Sequence, residues 1–230
     1  MAVKAVIFDL FGTLVFDKFS STKYPLFLSR LATILDLKDS EFTSLWQASY
    51  QDRALGKFET LQHNLRWIGD RLGQILDAPA VEEAAAAIVE LTRQALTPRA
   101  QALEVLYQLR LMGFKTALIS DCGPAVPQVW KETSFAGLFE TVAFSCQEKL
   151  KKPDPKIYQT SLDRLGLPAR ECFYLGDGHG GELEGAKGMG MKPALIWSAI
   201  DTDEPERLVV KDWGGPTLTS LNEVVSLLSS

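Results

Sequence analysis

The residues from Val6 to Val15 form an apolar run, which one carboxylate, Asp9, interrupts before a Gly12-Thr13 pair. A continuous apolar run with β-branched residues that ends at glycine is typical of a strand buried on both faces, as at the centre of a parallel sheet. Asp9 then lies at the carboxyl end of this strand. Ligands bind at that end of open α/β sheets, because the strands stop there and the following loops and helix N-termini supply donors. The run therefore predicts a buried strand that carries a carboxylate to a ligand site.

Four further apolar runs follow in the second half of the chain, and helical patterns separate them. The predicted strands span residues 114–120, 141–145, 171–175 and 193–197. The predicted helices span about 99–112, 126–133, 155–165, a short segment ending at Gly190, and 220–228. Strands that alternate with helices in this way indicate right-handed crossovers between parallel strands. The predicted fold class is α/β, with a doubly wound, parallel, Rossmann-like sheet as its core.

A long helical insertion separates the first strand from the others. The pattern stays helical from about residue 17 to residue 97, much longer than an ordinary connection within a sheet. Apolar spacing predicts four helices, at about 25–35, 39–50, 59–76 and 81–96. We interpret residues 17–97 as a small α-helical cap domain, placed over a core domain of residues 1–16 and 98–230. Trp46 and Trp67 are expected in the cap's own core, and His63 as a solvated or hydrogen-bonded helix residue.

Composition and charge limit the partners that the chain can have. It has 230 residues, 46% of them hydrophobic and 23% charged, with a formal net charge of −5 and a pI near 5.2. This acidic balance argues against nucleic acid or acidic lipid as a partner. No run reaches the length of a membrane span, and no signal peptide is recognised. We expect a cytoplasmic protein that acts on a small molecule, and the sequence gives no indication of its oligomeric state.

The three cysteines, Cys122, Cys146 and Cys172, show no spacing typical of a disulfide framework or a zinc site. Two of them lie in or beside apolar strand-like runs. Buried reduced thiols are therefore expected.

Polar residues follow four of the predicted strands: Asp9, Ser120, Lys152 and Asp177. An aspartate that attacks a phosphoryl group needs its own charge and that of the substrate neutralised. Mg²⁺ held by one or two carboxylates and the substrate phosphate provides this charge. The sequence therefore predicts Mg²⁺ between Asp9 and Asp177, with Lys152 as the neighbouring cation.

The same four segments resemble, in order, the four signatures of the haloacid dehalogenase (HAD) superfamily. The first signature, Asp-x-Asp-x-Thr, is similar to Asp9-Leu10-Phe11-Gly12-Thr13, and Ser120 stands where the second has Ser or Thr. The run from Lys152 to Tyr158 is similar to Lys-Pro-Asp-Pro-x-Ile-Phe/Tyr, and Leu175 to Ala186 to a Gly-Asp signature with a later acid before Gly-Ala. Each segment alone is a weak signal, but all four in order at strand ends are a strong one. The resemblance covers the chain outside the cap and implies a helical cap of the C1 type.

The resemblance also implies a role for each matching residue. The implied catalytic residues are Asp9 as nucleophile, Thr13 and Ser120 as donors to the transferred group, and Lys152 as its counter-ion. The implied Mg²⁺ ligands are Asp9, the backbone carbonyl of Phe11 and Asp177, with Glu182 acting through water or by holding Lys152. Glu182 has an alternative interpretation as a first-turn acid favoured by the helix dipole. Candidate substrate-binding residues are Gly12, Asp121 and Arg53.

Phe11 is the departure from the first signature, because it replaces the second Asp. In phosphatases of the family this Asp protonates the leaving alcohol and later activates water, which is worth ~10²–10⁴-fold in rate. We expect a Mg²⁺-dependent phosphomonoester phosphatase that acts through an aspartyl phosphate on Asp9 and lacks this acid. A catalytically silent binding protein with the same fold is one alternative.

A 2-haloacid dehalogenase is the other alternative. Those enzymes also carry an aromatic residue at the position of Phe11, since halide leaves without a proton, and Tyr158 fits their pattern. Arg53 could hold a substrate carboxylate. They need no metal, however, and have a serine-asparagine pair where this chain keeps Gly176-Asp177. The retained carboxylate favours phosphate over halide.

Overall fold

The computed structural model describes residues 2–16, 23–197 and 213–229, in which six strands form one parallel sheet. The strands are β1 (Ala5–Phe8), β2 (Lys115–Ser120), β3 (Thr141–Phe144), β4 (Cys172–Gly176), β5 (Lys192–Ile196) and β6 (Thr217–Leu218). Their order across the sheet is β3-β2-β1-β4-β5-β6. Strand β1 is therefore central, with β2 and β3 added on one side of it and β4, β5 and β6 on the other. This order is that of a doubly wound fold. The predicted α/β class is confirmed.

The helices of the described residues fall into two groups. Between β1 and β2 lie α1 (Tyr24–Ile34), α2 (Asp39–Ala48), α3 (Tyr50–Ala54), α4 (Leu61–Arg71), α5 (Ala78–Ala95) and α6 (Ala102–Leu111). After β2 come α7 (Ala125–Val129), α8 (Ser145–Glu148), α9 (Pro155–Leu165), α10 (Glu182–Gly188) and α11 (Asn222–Ser229). No helix in these ranges is long and apolar enough to cross a membrane.

Strand β1 is buried on both faces, and its side chains alternate between two hydrophobic layers. Val6 and Phe8 belong to one layer, and Ala5 and Ile7 to the other, all with 0% of their surface exposed. The first layer includes Leu106 of α6, Val126 of α7 and Val224 of α11, and the second includes Ile157 of α9 and Leu183 of α10. Full burial of one such aliphatic or aromatic side chain contributes ~1.5–3 kcal/mol. Asp9 follows directly, so the buried strand fixes the depth at which this carboxylate enters the site.

Helices α1, α2, α4 and α5 form most of a separate hydrophobic cluster, which also includes Ala125 of α7. We call residues 23–95 the helical segment. Leu31, Phe42, Leu65 and Ile68 are fully buried in this cluster. The chain leaves and re-enters the sheet layers at one place, where Val15 and Pro98 form an antiparallel bridge. This crossing point agrees with the boundaries expected for a cap, although the division at residues 16 and 97 stays a prediction.

The prediction of four helices in this segment was wrong, because the described residues contain five. The helix expected from residue 39 to 50 breaks at Ser49, whose hydroxyl donates to the Trp46 carbonyl (3.1 Å) and accepts a hydrogen bond from Arg53 Nη1 (2.6 Å). A serine hydroxyl that bonds the preceding turn competes with the regular helix pattern. Trp46 is buried in the cluster and Trp67 packs against it, as expected, while His63 is exposed.

Two short elements were also missed, β6 and α8. Two or four residues are too few for a hydrophobic period to show. The helix expected at 126–133 is α7 followed by one turn of 3₁₀-helix at Trp130–Glu132.

Gly56 tests the contact between the helical segment and the sheet layers. Its φ is +66°, and a Cβ built on it would lie 3.0 Å from the carbonyl carbon of Cys146 and closer still to the oxygen. Gly73 has nearly the same φ, +68°, but nothing lies within 4 Å of such a Cβ. We expect Gly73→Ala to lower the free energy of unfolding by ~1 kcal/mol, from backbone strain alone. Gly56→Ala should cost ~1–3 kcal/mol more, because backbone cannot yield as a side chain can.

Urea unfolding of the two variants measures this difference. Equal losses of stability would contradict the close approach at Gly56.

Candidate active site

Three carboxylates meet at the carboxyl edge of the central strands. Asp9 follows β1, and its backbone N–H donates to the Leu175 carbonyl of β4 (2.9 Å), so the strand pairing holds it in place. Asp177 follows β4, and Glu182 is the first residue of α10. One oxygen of each carboxylate lies within 4.8 Å of the others. Asp9 and Glu182 are buried, with 5% and 1% exposed, and Asp177 is partly buried.

Lys152 is the cation of this cluster, and it is itself buried. Its Nζ donates to Asp9 Oδ1 (2.5 Å) and to Glu182 Oε2 (2.6 Å), while its backbone N–H donates to Asp121 Oδ1 (3.0 Å). Burial opposes its charge, but the carboxylates of Asp9 and Glu182 outweigh this effect and raise the pKa of Lys152 well above its ordinary value. The ammonium therefore stays charged between its two partners.

Glu182 is fixed by donors on both of its oxygens. Tyr174 donates to Oε2 (2.7 Å), and the backbone N–H of Gly178 donates to Oε1 (3.0 Å). The Tyr158 hydroxyl donates to the backbone carbonyl of Glu182 (2.9 Å). Glu182 is thus both a first-turn acid of α10 and a direct partner of Lys152, so the two interpretations of it are compatible.

Tyr174 was not identified from the sequence. The only signal was the presence of a tyrosine in an otherwise apolar strand. A buried tyrosine usually has a hydrogen-bond partner for its hydroxyl.

Burial raises the pKa of Asp9 to about 6 and that of Glu182 to about 8. Lys152 opposes both increases, and the nearby charge of Asp177 adds to them. Crowded carboxylates are costly to ionise together without further positive charge. A bound cation would favour the charged forms of Asp9 and Glu182.

Several buried oxygens at this edge have no hydrogen-bond partner among the described residues: Asp9 Oδ2, Thr13 Oγ1 and Ser120 Oγ. A buried polar atom without a partner costs ~1–3 kcal/mol, so such atoms in one place indicate a ligand that satisfies them. Hard oxygen donors that are carboxylates suit Mg²⁺. The donor set therefore fits the predicted Mg²⁺ site, with hydroxyls beside it for the oxygens of a substrate.

The loop after β1 is anchored by Arg99, which was not identified from the sequence. Its Nη1 donates to the carbonyl oxygens of Gly12 (2.6 Å) and Thr13 (3.4 Å), and its backbone N–H donates to that of Leu14 (2.9 Å). Gly12 has φ of +80°, a conformation that L side chains rarely adopt. The Phe11 side chain packs on the hydrophobic layer of Val6 and Phe8. No sequence signal distinguishes Arg99, because its partners are backbone atoms of a segment distant along the chain.

Arg53 lies in the helical segment, where it is 7% exposed. Its Nη1 donates to the Trp46 carbonyl (2.7 Å), Ser49 Oγ (2.6 Å) and Asn64 Oδ1 (3.2 Å), and its guanidinium lies 3.8 Å from the centre of the Trp46 ring. Burial lowers the pKa of Arg53 to about 10. A Cβ on Gly123 would lie 3.7 Å from the Arg53 Cβ, so this side chain borders the loop that follows Ser120.

The structure thus brings Asp9, Lys152, Asp177 and Glu182 together, with Asp121 bonded to the backbone of Lys152. Ser120 ends β2, beside β1, and Thr13 lies in the anchored loop. Gly12 is in the same loop, and Arg53 lies in the helical segment, beside the loop that follows Ser120. The fold and the site define an α/β protein with a buried, charged cluster at the edge of the sheet where ligands bind.

The chain belongs to the haloacid dehalogenase-like hydrolases, because the model of that family matches residues 3–190. It is 33% identical over 99 residues to a glyceraldehyde 3-phosphate phosphatase of Pyrococcus abyssi, a match covering 42% of this chain and 40% of the relative. In such matches the chain spans about half the length of the curated relatives or less.

Solved structures of both a phosphatase and a 2-haloacid dehalogenase have the same fold as this chain. A HAD phosphatase from Thermococcus onnurineus has a TM-score of 0.66 and 21% identity, with 98% of each chain covered. An L-2-haloacid dehalogenase from Xanthobacter autotrophicus, solved with chloropropionic acid covalently bound, has a TM-score of 0.65 and 19% identity, with 99% of each chain covered. Identities this low show the fold alone, and the fold does not separate the two activities.

Gly176 tests how tightly Glu182 is held. A Cβ on Gly176 would lie 2.7 Å from Glu182 Cδ, so Gly176→Ala would push the carboxylate away from Lys152 and Tyr174. We expect a loss of ~2–4 kcal/mol in the free energy of unfolding, because the displaced charges stay buried. In the control Gly188→Ala, nothing lies within 4 Å of the new Cβ. Its helical position should make the control neutral or more stable by up to ~1 kcal/mol.

Thermal and urea unfolding in the presence of EDTA provide the measurement. A Gly176→Ala variant as stable as the control would show that the Glu182 carboxylate can move without cost.

Proposed function

We propose that the chain is a Mg²⁺-dependent phosphatase that hydrolyses phosphomonoesters of small molecules through an aspartyl phosphate on Asp9. The observation that carries this proposal is the buried cluster of Asp9, Asp177 and Glu182 around Lys152, with Asp9 Oδ2 left without a partner in the described part of the chain. The naming of relatives from Pyrococcus and Methanopyrus as glyceraldehyde 3-phosphate phosphatases supports phosphate esters as substrates.

Asp9 has two oxygens with different surroundings, which suits a nucleophile. Lys152 holds Oδ1 and so fixes the carboxylate, while Oδ2 is buried without a partner. In the proposed reaction an Asp9 oxygen attacks phosphorus, an O–P bond forms, and the bond to the alcohol oxygen breaks. Water then attacks the same phosphorus and releases phosphate, which restores the carboxylate.

The residues around Asp9 offset the negative charge of the phosphoryl group. Lys152 supplies a fixed ammonium, and the Ser120 and Thr13 hydroxyls donate hydrogen bonds to phosphoryl oxygens. Mg²⁺, held by Asp9, Asp177 and the backbone carbonyl of Phe11, would lower the repulsion between the two anions. Glu182 acts by holding Lys152.

Phe11 limits the alcohols that this chemistry can release. Its side chain has no ionisable proton to donate, and it packs on a hydrophobic layer of the sheet. An alcohol that leaves without a proton must be a good leaving group. We infer faster hydrolysis of aryl phosphates than of alkyl phosphates.

The helical segment is proposed to act as a cap. In this proposal residues 17–97 form the cap domain, and residues 1–16 and 98–230 form the core domain. Arg53 is the residue proposed to reach the substrate from it, because its buried guanidinium has no carboxylate partner in the described ranges. Gly12 and Asp121 stay predicted substrate-binding residues in the loops after β1 and β2.

A 2-haloacid dehalogenase is the second candidate, and Phe11 is the observation that favours it. In that reaction Asp9 would attack the carbon that bears the halogen and form an ester. The carboxylate of the substrate would then face Asp177 and Glu182, an unfavourable charge arrangement. A silent binding protein, the third alternative, would show no turnover of either substrate class.

Mg²⁺ binding should depend on Asp177. We expect titration calorimetry at neutral pH to show Mg²⁺ binding to the wild type and at least ~10-fold weaker binding to Asp177→Asn, because the cation loses a charged ligand. Asp163→Asn, which removes an equal charge at an exposed position of α9, should bind as the wild type does. Equal affinities of the Asp177 and Asp163 variants would remove the metal-site argument for phosphate.

Hydrolysis should require both Mg²⁺ and Asp9. In a panel of aryl phosphates, alkyl phosphates and 2-haloacids, we expect phosphate release by the wild type with Mg²⁺, loss of that activity in EDTA, and no halide release. Asp9→Asn should lower turnover by ~10³-fold or more, since an amide is a poor nucleophile.

Halide release that persists in EDTA would instead identify a dehalogenase. No turnover of any compound, with Mg²⁺ binding intact, would favour the silent binding protein.

A further inference from the structure

Cys122 and Cys146 follow the ends of two neighbouring strands, Cys122 in the loop after β2 and Cys146 in α8, which follows β3. Strands β2 and β3 pair in parallel with Ser120 opposite Phe144, and each cysteine lies two residues further on. Paired strands lie ~4.8 Å apart, so the two segments that carry the cysteines start side by side. A disulfide needs a Cα separation of ~4.4–6.8 Å, and the contacts of Ser145 hold the two segments close together beyond the strand ends.

Ser145 holds the backbone of one cysteine beside the other. Its hydroxyl accepts a hydrogen bond from the Cys122 backbone N–H (2.9 Å) and donates to the Cys122 carbonyl (3.3 Å). Cys146 is the next residue in the chain, and both cysteines belong to the same hydrophobic layer. Both thiols are free.

The two thiols differ in ways that suit an attacking and a resolving cysteine. A hydrogen bond with Cys122 lowers the pKa of Cys146, whereas burial raises that of Cys122 well above its ordinary value. Cys146 also lines a cleft of about 1350 Å³ between the helical segment and α7, beside Gly56 and Pro124. Beside this cleft Cys146 keeps 9% of its surface exposed, against 3% for Cys122.

We propose that Cys122 and Cys146 form a reversible disulfide when hydrogen peroxide oxidises Cys146. The Cys146 sulfur attacks one peroxide oxygen, the O–O bond breaks, and a sulfenic acid and water form. The Cys122 sulfur then attacks the Cys146 sulfur, an S–S bond forms, the S–O bond breaks, and a second water leaves. The two thiols lose two electrons in total, and hydrogen peroxide gains them.

The disulfide would act on the loop that follows β2. Ser120 lies two residues before Cys122, and Asp121 accepts the backbone hydrogen bond of Lys152 (3.0 Å). Drawing the Cys122 sulfur onto Cys146 shifts this loop, and misplacement of a catalytic group by an ångström can cost up to ~10²-fold in rate. Oxidation therefore lowers activity, a consequence that rests on the proposed function, whereas the thiol chemistry does not.

Peptide mapping tests the disulfide itself. The full-length protein is treated with equimolar hydrogen peroxide, alkylated in denaturant and analysed by mass spectrometry without reduction. The expected result is a Cys122–Cys146 cross-link, a mass lower by two hydrogens, reversal by dithiothreitol, and alkylation of Cys172. Cys172→Ala, at a fully buried thiol of β4, should give the same cross-link, and Cys146→Ala none.

Alkylation of both Cys122 and Cys146 after treatment, or a sulfinic acid on Cys146 without a cross-link, would overturn the proposal. The wild-type map decides this even if Cys146→Ala fails to fold.

Activity of the oxidised protein tests the regulatory consequence. Aryl phosphate hydrolysis should fall by ~10-fold or more and return with dithiothreitol. A complete cross-link with unchanged activity would overturn the regulatory part. A cross-link in a protein that hydrolyses no phosphate ester even when reduced would contradict the proposed function and leave the disulfide supported.

Discussion

The ion pair of Lys152 with Asp9 and Glu182 is the interaction on which the site depends. An ammonium and two carboxylates are removed from water together, and their Nζ–oxygen distances are 2.5 and 2.6 Å. Loss of one partner from such a group costs ~3–5 kcal/mol, because the remaining charge stays buried.

Several elements that are distant along the chain hold this ion pair in place. Gly176 leaves room for the Glu182 carboxylate, Tyr174 and Gly178 donate to it, and Asp121 holds the backbone of Lys152. Arg99 fixes the loop on the other side of Asp9. The site is therefore assembled at the edge where β1, β2 and β4 end, and its rigidity comes from the buried sheet beneath it.

The acids of the site and Phe11 favour different reactions. Carboxylates clustered around a buried aspartate suit a divalent cation and a phosphoryl group, whereas Phe11 suits a reaction in which the leaving group needs no proton. The fold is common to solved phosphatases and dehalogenases, so it does not decide between them. The charge of the site does favour one, because an excess of carboxylates is stable around a cation and unfavourable around a substrate that is itself a carboxylate.

The sequence by itself determined the α/β class, the central strand and the placement of Asp9, Ser120 and Asp177 at strand ends. These features depend on hydrophobic period and on turn residues, both of which are local. Only the tertiary structure decided that Glu182 bonds Lys152, that Tyr174 and Arg99 support the site, and that Cys122 lies against Cys146. Each of these contacts depends on side chains that a local pattern cannot bring together, such as Arg99 and the carbonyl of Gly12, 87 positions apart. A hydrophobic period predicts which side chains are buried. Which distant side chains contact each other depends on how the strands and helices pack.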